Sequence, residues 1–355
     1  MIIGIAYDLK SDHAGRVAGH PHGPDDRLEE YDSDDTVDAI ATALSVHGHE
    51  PVLLGTGRAF IERVLAHPPD LVFNMAEGFG TRSREAHIPS VCEMLGIPVT
   101  HSDPLTLAVT LDKSMAKKIA ASAGVATPRF VIVDSAARAE TIQLQYPLIA
   151  KPLYEGSSIG IRKSSRVDDA SELHRELTRL LGDYAQPVLV EEFCSGPEFT
   201  VGVIGNGSAA RPGTATSRST PPSVSPPEPH PGYFVAAMEI APRVDQPEKF
   251  VYSLEVKRNW RNEVAYHVPP RCPAATLHAV EDLALAAFRA LGCRDVARVD
   301  VRLTAQGEPR FLEINPLPGL NPTTGDLPIL CAKSGISHEE LIARIVQHAR
   351  SRYGL

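Results

Sequence analysis

The sequence is short of paired cysteines, of long apolar runs and of clustered basic residues, and each shortage removes a class of protein. Its five cysteines, Cys92, Cys194, Cys272, Cys293 and Cys331, are scattered and odd in number. They form no CxxC pair and no zinc-ligand spacing, so neither a disulfide framework nor a zinc module is expected. Free thiols in a reducing cytosol are the expected state, and with it a cytoplasmic location. No stretch approaches the ~18–20 apolar residues of a membrane-spanning helix, so no membrane partner is expected. The opening MIIGIAYD is too short an apolar run for a secretory signal, and acidic residues follow at once. The formal net charge is −9. No basic stripe interleaved with aromatics occurs, which argues against a nucleic-acid partner. An acidic chain that handles an anionic ligand must do so with individual lysines and arginines.

What is present is an ordinary globular composition, 43% hydrophobic and 22% charged over 355 residues. That length exceeds one comfortable core, so two or three domains are expected. In the first hundred residues, strand patterns at 2–7, 51–55, 70–75 and 97–100 alternate with helix patterns. One helix follows Ser33 and Asp34 and closes at Gly48; others cover 57–66 and 87–96. Alternation of this kind predicts a parallel sheet covered on both faces, with ligands at the carboxyl ends of its strands. Two loops fall there, a long polar one after residue 7 and AEGFGTRSRE at 76–85. His13, His20 and His22 lie in the first, but the glycines and prolines between them predict a mobile polar loop rather than a metal cluster.

A second unit spans 103–190, with a helix from an Asp112 cap to Gly124, a helix near 170–182, and strands at 127–133, 146–152, 158–165 and 187–193. The third, 191–355, holds strands near 198–206, 233–240, 250–257, 297–304 and 310–315, with helices near 275–291 and 338–352. Residues 207–232 are rich in Pro, Ser and Thr without hydrophobic period, and are expected to be a passive, disordered surface loop.

Four stretches carry chemistry. KPLYEGSSIGI (151–161) is a small-residue turn whose N–H groups could cradle phosphate, with Lys151 supplying charge; a hairpin turn explains it as well. In VLVEEFCSGPEFTV, an apolar run, Glu191 to Cys194 and then Glu198 suit an adenine slot and a ribose, or else a charged sheet rim. In DVARVDVRL, Arg298 and Asp300 share one strand face. In FLEINPLPGL, Glu313 and Asn315 share a face, nominally with Phe311, while Leu312 and Ile314 point to a core. If these two strands pair, Arg298, Asp300, Glu313 and Asn315 converge. Such a set is expensive to bury without a ligand, and its three oxygen donors suit Mg²⁺.

Taken together, TLDKSMAKKIAASAGVATP, LIAKPLYEGSSIGI, LVEEFCSGPEFTV, ARVDVRL and FLEINPLPGLNPTT, in this order, resemble the ATP-grasp carboxylate–amine ligases, and most of all the D-alanine–D-alanine ligases. The resemblance covers most of 97–345 and implies a three-domain α/β and α+β architecture with a Rossmann-like first lobe. It implies that Lys113, Lys151 and Lys257 contact ATP phosphates, that Ser157 and Ser158 lie in the closing loop, and that Glu191, Glu192, Phe193 and Cys194 form the adenine hinge. Glu198 would hold the ribose. Asp300, Glu313 and Asn315 would hold two Mg²⁺ ions, with Mn²⁺ as a substitute. Arg298 and the Gly319 backbone would stabilise a tetrahedral intermediate, and Ser157 would serve the catalytic loop. Thr324 would meet the second substrate's carboxylate. The implied partners are amino-acid or peptide substrates and, by analogy, a second copy of the chain.

The first lobe departs from that family. YDLKSDHAGRVAGH stands where the family has a glycine-rich stretch, and FNMAEGFGTRSRE replaces its histidine-glycine loop. Glu77 or Glu85 would then recognise an amino group. Arg258 follows Lys257 where the family often has tyrosine. It suits either a carboxylate-bearing substrate or a solvent-facing rim.

Overall fold

Three sheets organise the chain in the computed structural model, which describes residues 1–17, 24–207, 230–243 and 246–355. In the first, β1 (Ile2–Ala6), β2 (Glu50–Leu53) and β3 (Leu71–Asn74) run parallel in the order β2-β1-β3. Ile3, Ile5, Leu71 and Phe73 are wholly buried. Helix Asp34–Val46 covers one face through Val37, Ile40 and Leu44. Helices Gly57–Ala66 and His87–Leu95 cover the other through Phe60, Val64, Ile88 and Cys92. Two covered faces are why these strands read as unbroken apolar runs. The strand expected at 97–100 is only a single bridge, Val99 to Val72.

The second sheet is antiparallel, from β4 (Phe130–Val133), β5 (Leu148–Pro152), β6 (Arg166–Val167) and β7 (Val188–Glu192), in the order β4-β7-β5-β6. Helix Ala170–Tyr184 lies on it, capped by the Asp169 side chain and burying Leu173, Leu177 and Leu180 on one face.

The third sheet joins β8 (Glu198–Gly205), β9 (Tyr233–Pro242), β10 (Val264–His267), β11 (Val296–Leu303) and β12 (Pro309–Asn315), antiparallel in the order β10-β9-β8-β11-β12. Helix Ala274–Ala290 packs on one face. On the other, Leu327, Leu330 and Ile345 share a core with Ile40 and Leu44 of the first lobe. Asp112 accepts from the N–H groups of Ser114 and Met115, as its expected capping role requires, and Ala116 and Ala120 of that helix pack into the third lobe's core. Among the described residues no helix is long and apolar enough to cross a membrane.

The structure corrects four local expectations. Residues 158–165 are not a strand but the end of a tight turn followed by the 3₁₀ helix Lys163–Ser165. Ser157, Ser158 and Gly160 take φ of 49°, 61° and 78°, which no ladder accommodates, and the chain after the turn first joins the sheet at Arg166–Val167, beside β5. Residues 250–257 do not continue as a strand either, because Ser253 turns the chain into the short helix Leu254–Arg258. In β12 the register steps from Asp300↔Glu313 to Val301↔Phe311, leaving Leu312 over as a bulge. Phe311 therefore joins Ile314 in the core, and Leu312 faces the cleft with Glu313. Finally, His13 is not in a mobile loop. It sits on helix Lys10–Val17, buried, 2.9 Å from Asp8 through Nε2 and with its ring 4.3 Å from that of Tyr31. His20, His22 and residues 208–229 of the Pro-rich insertion lie outside the described residues.

Asp8 also accepts from the Gly78 N–H at 2.8 Å, and the Gly78 carbonyl accepts from the Tyr31 hydroxyl at 3.1 Å. Gly78 has φ +73°, and a Cβ there would lie 2.5 Å from the Arg84 carbonyl oxygen. Gly78→Ala is expected to lower unfolding stability by about 2 kcal/mol. Denaturant titration checks this, and a loss under about 0.5 kcal/mol, as at an ordinary surface position, contradicts it.

Candidate active site

The second and third sheets face each other across a cleft. Ile149 and Ile161 from one side, with Val251 and Leu312 from the other, make an apolar slot. The slot continues onto a charged floor of Lys151, Glu198, Asp300 and Glu313. An apolar slot with a few converging polar groups is the usual form of a small-molecule site.

Alternation along β5 and β7 aims Lys151 and Glu191 at the same point. Glu191 lies 2.6 Å from Lys151 Nζ and 2.8 Å from Lys117 Nζ, all three buried. Burial opposes ionisation of Glu191, yet the two lysines outweigh it and hold the carboxyl below its ordinary value. Two lysines on one carboxylate leave positive charge over, so Lys151 can bind a second anion. The Glu191 side chain thus serves Lys151, and the slot wall continues through Phe193 and Cys194. Glu192 turns outward to Arg129 at 3.4 Å. Glu198 is 3.2 Å from Arg302, whose guanidinium lies 4.4 Å from the Phe193 ring centre.

On the floor, Asp300 of β11 stands opposite Glu313 of β12, and Arg298 opposite Asn315. Arg298 Nη2 is 3.1 Å from Asp300 and 3.8 Å from Glu313, and Lys113 Nζ is 3.7 Å from Glu313. Burial raises the Asp300 pKa, with Glu313 adding to it and Arg298 opposing. Burial acts the same way on Glu313, but Lys113, Lys151, Arg298 and Lys257 bring it down to about 2. Asn315 turns its amide oxygen to the Leu317 N–H at 3.0 Å. Two facing carboxylates and an amide oxygen are hard donors, and Asp300 is short of compensating positive charge. The set fits Mg²⁺.

Beyond the floor a second cavity of about 420 Å³ brings together Ser157, Lys257, Arg298, Gly319 and Thr324. Ser158 lies in the first cavity and donates to the Tyr252 carbonyl at 3.3 Å. Gly319 has open space where a Cβ would stand. Arg298 Nε is buried without a hydrogen-bond partner among the described residues. The far wall is aromatic and acidic. Trp260 stacks on Tyr266 at 5.2 Å, and Asp326 accepts from the hydroxyls of Tyr252 and Tyr266 at 3.2 and 3.4 Å. Arg258 is engaged by Asp25 and Glu29, each at 2.5 Å. Glu77 and Glu85 lie beside Arg84, which is bound by Glu30 at 2.8 Å. Burial, then its neighbour Glu85, lifts Glu77 well above its ordinary value. Burial lifts Glu85 to about 8 against the pull of Arg84.

Sequence reading missed Arg302, though it continues the Arg298–Asp300 face of β11 and the period-2 rule finds it. It also missed Lys117, which is one helical turn from Lys113. Tyr266 and Asp326 carried no local signal, since only the fold brings β10 to the start of helix Asp326–Lys333.

With this geometry in place, comparison with known proteins is specific. A family profile described as D-ala D-ala ligase C-terminus matches residues 119–218 and 236–347. The chain is 32% identical to an uncharacterised protein of Sinorhizobium fredii, over 89% of this chain and 88% of the other. It is 32% identical to a D-alanine–D-alanine ligase of Bordetella petrii, over 87% and 85%. The fold is similar to a D-alanine–D-alanine ligase from Bacillus anthracis complexed with ATP, with a TM-score of 0.68 at 20% identity, covering 100% of this chain and 99% of that one.

The raised Glu85 pKa makes a signed prediction. A carboxyl whose folded pKa lies above its unfolded value stabilises most below the unfolded pKa, and that contribution is lost as pH rises through the folded one. Melting temperatures of Glu85→Gln and the parent chain are therefore expected to shift in the variant's favour between pH 5 and pH 8, and to run parallel above ~9. A pH-independent difference contradicts this.

Proposed function

This chain belongs to the D-alanine–D-alanine ligase family and is an ATP-dependent, ADP-forming ligase; we propose that it joins the carboxylate of one amino acid or short peptide to the amine of a second in the cleft between its second and third lobes. The observation that carries the reading is the face of β11 and β12, where Asp300 and Glu313 stand in register beside Arg298. Lysines from other elements surround it. Phosphoryl transfer asks for this kind of charge neutralisation and positioning rather than for a covalent nucleophile.

In the proposed reaction, a carboxylate oxygen attacks the γ-phosphate, giving an acyl phosphate and ADP. An amine then attacks the acyl carbon, and phosphate leaves with that oxygen. Lys113, Lys151 and Lys257 hold the phosphates. The slot through Phe193 and Cys194 takes the adenine, and Glu198, oriented by Arg302, faces the ribose. Asp300, Glu313 and Asn315 would hold Mg²⁺, which when bound neutralises phosphate charge; Mn²⁺ is the proposed substitute. Arg298, with a free buried Nε, and the Gly319 N–H receive the negative charge that develops on the acyl oxygen. Ser157 and Ser158 lie in the turn that excludes water from the acyl phosphate. Thr324 is proposed to meet the acceptor carboxylate, and Glu77 or Glu85 an amino group of the first substrate. The domain limits 1–102, 103–190 and 191–355, a homodimer and a cytosolic setting stand as proposals.

Relatives named D-alanine–D-alanine ligase make D-alanine the first candidate for both positions. A second reading, a ligase for another pair, is favoured by the first-lobe loops, where YDLKSDHAGRVAGH and FNMAEGFGTRSRE stand in place of the family's stretches. Phosphate release from ATP against single amino acids and pairs, with mass spectrometry of products, decides between them. D-alanyl-D-alanine from D-alanine alone supports the first, and product only with another pair supports the second. No release with any pair contradicts the ligase site as drawn. Arg298→Lys is expected to lower kcat by roughly a hundredfold, because lysine loses the planar fork that reaches both carboxylates and the reacting oxygen. Activity within about threefold of the parent chain removes Arg298 from the reaction centre. Glu313→Gln is expected to abolish Mg²⁺-dependent phosphate release while the protein melts normally.

A further inference from the structure

The turn Glu155–Ile161 holds Ser157 and Ser158 in left-handed backbone, a conformation that persists only where the surroundings enforce it. Two enforcing bonds are local, from the Ile159 N–H to the Gly156 carbonyl and from the Ile161 N–H to the Ser158 carbonyl. Another comes from the far end of the chain. The Gly160 N–H donates to Asp26 Oδ2 at 2.9 Å. Gly160 itself has φ +78°, and a Cβ there would lie 2.4 Å from the Pro152 ring, so the backbone at this point can close only in the way it does.

Asp26 is wholly buried. It also accepts from Arg162 at 3.0 Å and from the Tyr184 hydroxyl at 2.8 Å. Its neighbours extend the grip. Asp25 reaches Arg162 at 2.6 Å and Arg258 at 2.5 Å, and Glu29 reaches Arg258 at 2.5 Å. One acidic segment of the first lobe is therefore bonded to the turn, to the strand entry after it and to the helix that carries Lys257.

We propose that Asp26 is a positioning residue for the phosphate-binding turn, and that the acidic segment around it is a clasp that sets the turn before ATP arrives. The inference rests on the reading of 155–161 as the turn that meets ATP. A turn already ordered loses less freedom on binding, so the clasp acts on ATP affinity rather than on the amino-acid substrates. It also gives Arg258 a role, because a guanidinium that spans two carboxylates ties the first lobe to the third.

Full-length Asp26→Ala and Asp26→Asn test this. Asp26→Ala is expected to raise KM for ATP about tenfold, the loss of a charge-assisted hydrogen bond. KM for the amino-acid substrates should stay within about twofold. Asp26→Asn keeps an oxygen for the Gly160 N–H and should lie in between. Hydrogen exchange without nucleotide gives an independent readout: the Gly160 amide should be protected in the parent chain and exchange faster in Asp26→Ala, with β4, β5 and β7 unchanged. An unchanged KM for ATP, a parallel rise of all KM values, or an unprotected Gly160 amide in the parent chain each overturns the clasp. If Asp26→Ala does not fold, Asp26→Asn and the parent chain's exchange decide. A protected Gly160 in a chain that never turns over ATP would sink the ligase reading, and the dissociation constant for ATP would then decide the clasp: about tenfold weaker binding by Asp26→Ala supports it and equal binding overturns it.

Discussion

Everything in the cleft follows from two carboxylates placed opposite each other on neighbouring strands. Asp300 and Glu313 are in register, largely shielded from solvent, and share one arginine. Burial first, and then the like charge of Glu313, raise the Asp300 pKa against the pull of Arg298. The strand pair cannot relieve this by itself. Relief comes from Lys113, Lys151 and Lys257, on three separate elements. The floor is therefore balanced only when the lobes close over it, and a divalent cation with a polyphosphate would complete the balance.

The bulge at Leu312 is part of the same solution. Without it, strict alternation would send Phe311 into the cleft beside Glu313. The extra residue lets Phe311 and Ile314 both enter the core and gives the slot an apolar floor from Leu312. The first lobe contributes differently. Its core is shared with the third lobe through Leu44 and Ile345, while Glu29, Glu30 and Asp32 line the second cavity.

Much of this was legible in the sequence, for physical reasons. The parallel first sheet follows from apolar runs alternating with helix patterns, although Ser33, which could cap the helix Asp34–Val46, makes no side-chain cap bond there. The β11–β12 face follows from period-2 placement of Arg298, Asp300, Glu313 and Asn315, and the Asp112 cap follows from residue type. What the pattern missed depends on context. The turn at 151–161 was legible from its small residues, but Ser158 and the residues after it look like a strand until the turn is closed by Asp26. Ser253 looks like a strand residue until its neighbours form a helical turn. His13 looks like part of a polar loop until Asp8 and Tyr31 enclose it. The ties of Arg258 to Asp25 and Glu29 span more than two hundred residues, and no local pattern encodes them.

The central claim is that a substrate carboxylate is activated as an acyl phosphate on the Asp300–Glu313 face. Isotope transfer tests it most directly. With both carboxylate oxygens of the turnover substrate labelled with ¹⁸O, the released phosphate should carry one labelled oxygen per peptide bond formed. Phosphate free of label, in a reaction that still forms the bond, would contradict the account.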